Sequence, residues 1–188
     1  MTSFEYISTL LSIIIGLGIT HLFVGISRLI NNPRKIKIYW IHLLWTLFIF
    51  IYMISFWWFE YKFNTIQDWT FQLYLFIILY AVLLFFLCVI NMPFHLPDNF
   101  KEYFYSSRRW FFIVLLIVHV IDIFDTMFKG SDYMASMGIN YVFNTLTFII
   151  LTIVAIFARK EIVQGIIVIV LNIYLIWYLL AEISTLSS

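Results

Sequence analysis

The chain has 188 residues, of which 64% are hydrophobic, 21% aromatic and only 11% charged. Water-soluble domains carry roughly 45–50% apolar and about 25% charged residues, so this composition belongs to a chain whose solvent is lipid. The net charge of +1 gives no electrostatic basis for nucleic-acid binding. The lone cysteine, Cys88, rules out an intrachain disulfide or a thiolate metal cluster.

The first segment, MTSFEYISTLL, has an acid and no Lys or Arg ahead of its apolar run, and no small-x-small cleavage site follows. It is expected to be a first transmembrane helix rather than a signal peptide. A helix needs about 20 apolar residues to cross a hydrocarbon core of ~30 Å. Six stretches meet that length, at about 5–29, 38–59, 69–91, 108–128, 139–158 and 162–182. Each break has a cause. Asn31-Asn32-Pro33 and the bases after it end the first span, and Glu60 to Asp68 separates the second from the third. Pro93 and Pro97 close the third, because proline cannot continue the hydrogen-bond ladder. Gly130 to Gly138 divides the fourth from the fifth, and Arg159-Lys160-Glu161 splits the last hairpin. Residues 1–188 therefore form one domain, an all-α polytopic membrane bundle of six transmembrane helices.

The loops after the first, third and fifth spans carry Arg28, Arg34, Lys35 and Lys37, then Lys101, Arg108 and Arg109, then Arg159 and Lys160. The opposite side has only Lys62 and Lys129. Basic loops stay cytoplasmic, so both termini are expected outside a bacterial inner membrane. Trp40 and Trp110 at the inner ends, and Trp57, Trp58, Trp69 and Trp177 toward the outer ends, fit interfacial belts; Trp45 lies deeper. The connection from Met92 to Ser107 is expected either to start a short interfacial helix near Asp98, with Phe100, Tyr103 and Phe104 toward lipid, or to be an amphiphilic loop.

In the first span, Gly18, His21, Gly25 and Arg28 share one arc, and Ser8, Ser12, Gly16 and Thr20 share the opposite one. Small residues at such spacing let helix backbones approach closely, so Ser12, Gly16, Gly18 and Gly25 are candidate packing positions. Two such faces place the first span centrally beside the fourth, whereas the third, with Gln72 its one strongly polar residue, is expected at the lipid-facing periphery.

The fourth span, Arg108 to Lys129, is the unusual one. At 100° per residue, His119, Asp122 and Asp125 fall on a single face, joined by Thr126 and Lys129. Ionisable groups at membrane depth are costly and are functional candidates by default. At ~1.5 Å per residue from Arg109, His119 lies near midplane, Asp122 above it, and Asp125 near the outer surface, where an i,i+4 partnership with Lys129 suggests a rim ion pair. His119 and Asp122, at i and i+3, can hydrogen-bond to each other, and with His21 they are candidates for a proton or cation path. The plainer expectation is a structural polar core. The acids Glu5, Glu60, Asp68, Asp122, Asp125, Asp132 and Glu182 line an outer vestibule if they converge, or are solvated loop ends if they do not. His21 and His119 stand at comparable depth, the arrangement of a b-type haem, but two histidines do not select one, and no cofactor or metal is expected. No phosphate-binding glycine loop, HExxH, CxxC or nucleophile elbow occurs, so no enzyme is expected.

FEYISTLLSIIIGLGITHLFVGISRLI, YWIHLLW, the pair Trp57-Trp58, and RRWFF followed by Asp122 and Asp125 resemble a group of small uncharacterised multi-span bacterial inner-membrane proteins. That resemblance covers most of the chain and implies no activity. Two functions stay open. One is a non-enzymatic membrane accessory or interaction protein, homo-oligomeric or bound to a membrane or cytoplasmic partner. The other is a small proton- or cation-coupled permeation protein that uses His119 and Asp122.

Overall fold

In lipid only a helix satisfies every backbone N–H and C=O within a single crossing segment, and the apolar runs fold accordingly. The computed structural model describes residues 3–66 and 69–186, with side chains over 4–66 and 69–181. It is all-α: α1 (Ser3–Asn31), α2 (Trp40–Glu60), α3 (Phe71–Asn91), α4 (Phe100–Phe128), α5 (Ser131–Phe157) and α6 (Glu161–Leu186). A short 3-10 helix, Tyr61–Thr65, extends α2. All six α-helices are long and apolar enough to span a bilayer, so this is a multi-pass membrane protein. Helices α1, α3 and α5 finish at an end of the bundle rich in Lys and Arg, the basic end. Helices α2, α4 and α6 finish at the other, the acidic end.

The helix order around the bundle departs from the sequence expectation. α1 packs on α3 and α2; α3 lies between α1 and α4; α4 packs on α5, α5 on α6, and α6 back on α2. α2 also reaches α3 and α4 and buries half of its spanning window, against 28% for α1. The central helix is therefore α2, not α1, and α3 is an inner neighbour of α4 rather than a lipid-facing outlier. The reason is that lipid tails are as apolar as a protein core, so an aromatic and aliphatic helix suits either. The arc of Gly18 and Gly25 on α1 does pack. A β-carbon at Gly18 would stand 2.5 Å from Met53 Cε, and one at Gly25 would stand 2.9 Å from Met92 Cγ. On the opposite arc, Ser12, Gly16 and Thr20 are exposed, and Gly16 meets no other element.

α4 starts earlier than the span expected from residue 108, and is one continuous helix of 29 residues, about 43 Å long. Asn99, not Asp98, caps it, its side chain accepting from Lys101 N. Phe100 and Phe104 turn inward rather than toward lipid. Phe100 sits against His42 with ring centroids 4.5 Å apart, and Phe104 packs on Tyr39. A parallel bridge between Lys37 and Asn99 joins two of the three basic-end loops, and Lys101 pairs with Glu161 at 2.5 Å. α5 contains a break at Gly138, whose φ of +63° is open to glycine alone at low cost. With Gly130 at φ +108°, it isolates the turns between them from the spanning part.

Helix C-termini at the basic end are closed by side chains. Pro93 stops α3, leaving its last carbonyls without intrahelical donors. Tyr103 Oη donates to Ile90 O (2.6 Å), His42 Nε2 pairs with Asn91 O (2.6 Å) and His21 Nε2 with Met92 O (2.5 Å). The end of α5 is treated alike: Ala158 O accepts from Arg108 Nη1 and from Gln164 Nε2, which also donates to Ala155 O. Above these caps lies an aromatic layer. Trp45 is fully buried, edge-on to Phe48, Phe111 and Phe112 at 5.1–5.4 Å.

Candidate functional site

Between that aromatic layer and the acidic end, every helix but α1 lines a partly open chamber of about 70 Å³. α4 supplies the charges, since its 3.6-residue repeat stacks His119, Asp122, Asp125, Thr126 and Lys129 on one face. α2 contributes Tyr52 and Glu60, α3 Tyr80, α5 Tyr141 and Asn144, and α6 Leu175.

Two bonded groups fill the polar wall. In the first, Lys129 Nζ bridges Glu60 Oε1 at 2.9 Å and Asp125 Oδ2. All three side chains are about 3% exposed. The i,i+4 pair expected at the outer rim is thus real but buried, because Glu60 from the end of α2 and Phe63 of the 3-10 helix close over it. The Lys129 ammonium lies 5.0 Å from the Phe63 ring centre, a favourable placement for a cation out of water. In the second group, Asp122 accepts from Tyr80 Oη on Oδ1 and from Tyr141 Oη on Oδ2, both at 3.2 Å. Tyr52 and Tyr80 hydroxyls stand 3.1 Å apart. Since the single proton of Tyr80 goes to Asp122, Tyr52 donates to Tyr80. A relay Tyr52–Tyr80–Asp122–Tyr141 therefore crosses four helices.

His119 and Asp122 share the chamber but do not bond to each other. The tyrosines of α3 and α5 hold Asp122, while the His119 ring packs between Tyr52 (5.8 Å) and Phe148 (5.2 Å). Its Nε2 is buried without a hydrogen-bond partner. Phe148 is the chamber's floor, contacting Phe48 of the aromatic layer at 5.9 Å. His21 stands apart, engaged at the end of α3. Of the other vestibule acids, Glu5 and Asp132 are exposed, while Asp68 and the Glu182 side chain lie outside the described residues. Among the described residues, no group of three His, Cys, Asp or Glu side chains is gathered closely enough to hold a metal ion; the carboxylates converge on an ammonium and on phenols instead.

No known protein family, curated protein or solved structure matches this chain. The chemistry must be read from the geometry itself. Three carboxyls face one ammonium among buried side chains, so the ionised chamber would carry excess negative charge, which a low-dielectric interior tolerates only with compensation. Sequence reasoning found His119, Asp122 and Asp125 from their common helical face, but not the role of Glu60, which stands at a span end like a solvated residue. Nor did it find Tyr52, Tyr80 and Tyr141. In a chain with 12 tyrosines, no local signal separates a buried hydrogen-bonding phenol from a belt residue.

Proposed function

We propose that this membrane protein is non-enzymatic and acts through its contacts and conformation, as an accessory or interaction protein of a bacterial inner membrane. The chamber then serves as a polar lock that fixes α2, α3, α4 and α5 in register. The observation that carries this reading is the dead end below His119. A permeation path must cross the whole bilayer, and here Phe148, Phe48, Trp45 and Phe112 form a packed apolar layer between the chamber and the basic end. Polar side chains in a bilayer interior also serve as helix glue, each bond contributing ~1 kcal/mol. The excess of basic residues in the loops after α1, α3 and α5 supports a cytoplasmic basic end and outward termini. The resemblance of several segments to small bacterial inner-membrane proteins suggests the same setting. The partner is a second copy or another membrane or cytoplasmic protein.

A second reading has an observation of its own. Asp122 is held by two phenols but by no cation, and the chamber's charge imbalance suits uptake of a proton, as in a proton-coupled permeation protein. One experiment separates the two. Purified protein in proteoliposomes under an imposed pH gradient should pass no protons above empty vesicles, and affinity capture from native membranes should return a stoichiometric partner. Proton flux that Asp122→Asn abolishes, in a variant with unchanged thermal unfolding, would overturn the first reading and establish the second.

A further inference from the structure

The chamber contains a polar pair that none of its bonds engages. α4 and α5 run antiparallel, and Tyr141 of α5 donates to Asp122 of α4. Three residues back along α4 and three on along α5, one turn deeper, stand His119 and Asn144. They are 3% and 9% exposed and both line the chamber. His119 Nε2 and Asn144 Oδ1 are buried without a hydrogen-bond partner. Two such atoms at one level of one cavity call for an occupant, since a buried polar atom left alone is costly. The chamber's 70 Å³ exceeds the ~10–15 Å³ that a water-sized occupant needs. Toward the acidic end it shares Phe59, Glu60 and Tyr133 with a crevice of about 540 Å³ between the start of α1 and the end of α2.

Charge selects the occupant first. Lys129 is taken by Glu60 and Asp125, whereas Asp122 is held by two phenols and, among the described residues, by no cation. What relieves the site is therefore a positive charge. Hydrogen bonding selects it next. The Asp122 carboxylate and Asn144 Oδ1 accept only, and a neutral imidazole accepts at one of its nitrogens. Hard metal cations take oxygen ligands and leave an imidazole unused, and a set of three His, Cys, Asp or Glu side chains for a softer metal is not gathered among the described residues. An N–H cation donates to oxygen and nitrogen alike. Phe56, Phe59, Phe148 and Tyr178 line the same space, and aromatic walls favour such a cation. We propose that the chamber binds one small N–H cation, ammonium or methylammonium, which donates to Asp122, to Asn144 Oδ1 and to His119 Nε2. A water molecule meets the same acceptors without the charge, and tetramethylammonium brings the charge without an N–H. Binding requires no path through the aromatic layer, so the site goes beyond the polar lock and does not depend on proton flux.

The test is equilibrium dialysis of radiolabelled methylammonium against the full-length protein in detergent micelles at neutral pH and constant ionic strength, with protein-free micelles as the blank. Binding should saturate at one methylammonium per chain. Ammonium should displace it, whereas potassium, of similar size but without N–H donors, and tetramethylammonium should not. Asp122→Asn should weaken binding by about tenfold or more, the effect of one charge-assisted hydrogen bond. His119→Leu, which keeps an apolar side chain between Tyr52 and Phe148, should weaken it in the same direction. Where Asp122→Asn lowers the unfolding midpoint, His119→Leu and Asn144→Leu carry the comparison. Absence of saturable binding would overturn the proposal and leave water or protons as the occupants. Equal displacement by potassium would overturn it in favour of an oxygen-ligated cation, and so would binding that none of the three substitutions alters. Proton flux in proteoliposomes without methylammonium binding would defeat this inference alone, and binding without flux would support it while leaving the polar lock in place.

Discussion

Lys129 is the residue on which the acidic end depends most. It is an ammonium with almost no exposure, placed between two carboxylates from different helices, and removing one member of such a group leaves uncompensated buried charge at a cost of about 3–5 kcal/mol. Lys129→Met should therefore destabilise the protein by that order, read as a lower thermal midpoint in detergent. Adding Glu60→Gln and Asp125→Asn should recover much of the loss, because a neutral polar set has no charge to strand. If the triple variant is no more stable than Lys129→Met, the triad is not a charge-balanced unit. At the same scale, His21 changes character. Its depth beside His119 suggested a shared path, but its Nε2 is committed to Met92 O, and His42 makes the matching bond one residue earlier. Nothing local in the sequence marks a histidine as a carbonyl cap. The signal was indirect: Pro93 guarantees that the end of α3 needs donors from elsewhere. His21→Leu should accordingly weaken folding by ~1 kcal/mol and leave the chamber intact.

Among the elements, α1 shows how far a small-residue pattern can be read. Both of its arcs have the spacing that permits close approach, yet only the arc of Gly18 and Gly25 packs tightly, while the other meets protein through the Ser12–Trp57 hydrogen bond. A β-carbon at Gly25 would press on Met92, which is fully buried and has no room to retreat, whereas Gly16 opens on empty space. Gly25→Leu should therefore cost about 1–3 kcal/mol as overpacking does, while Gly16→Leu should leave the unfolding midpoint of the purified chain unchanged. A drop for Gly16→Leu accompanied by a change in particle mass on size-exclusion chromatography with light scattering would reveal an oligomer face on the open arc. α4 teaches the complementary lesson. Its charged stripe was legible because a 3.6-residue period fixes which side chains share a face, but its start was not. Phe100 and Phe104 read as lipid-facing beside Lys101 and Glu102, and only the presence of His42 and Tyr39 turns them inward.

At the scale of the molecule, the two ends of the bundle are chemically unlike. The basic end is closed by capped helix termini, a loop-to-loop bridge and the Lys101–Glu161 pair, and the acidic end contains the chamber and the crevice. With six spans the termini share one side, and the loop charges predict that side to be outward. Alkaline phosphatase fused after Ser188 should be active, and a fluorescent protein fused there dark, with the reverse result assigning the acidic end to the cytoplasm. The number of spans, the asymmetry of charge and the polar face of α4 were all determined by the sequence alone. These depend on length, composition and helical period, which a bilayer constrains strictly because unsatisfied backbone groups are so costly there. Which helix is central, which arc of α1 is covered, and which phenols and carboxylates close around Asp122 and Lys129 were decided only by the tertiary structure. Lipid and protein interior are equally apolar, so hydrophobicity does not say which face of a spanning helix meets a neighbour; that follows from shape complementarity and from pairing of polar groups far apart in the chain.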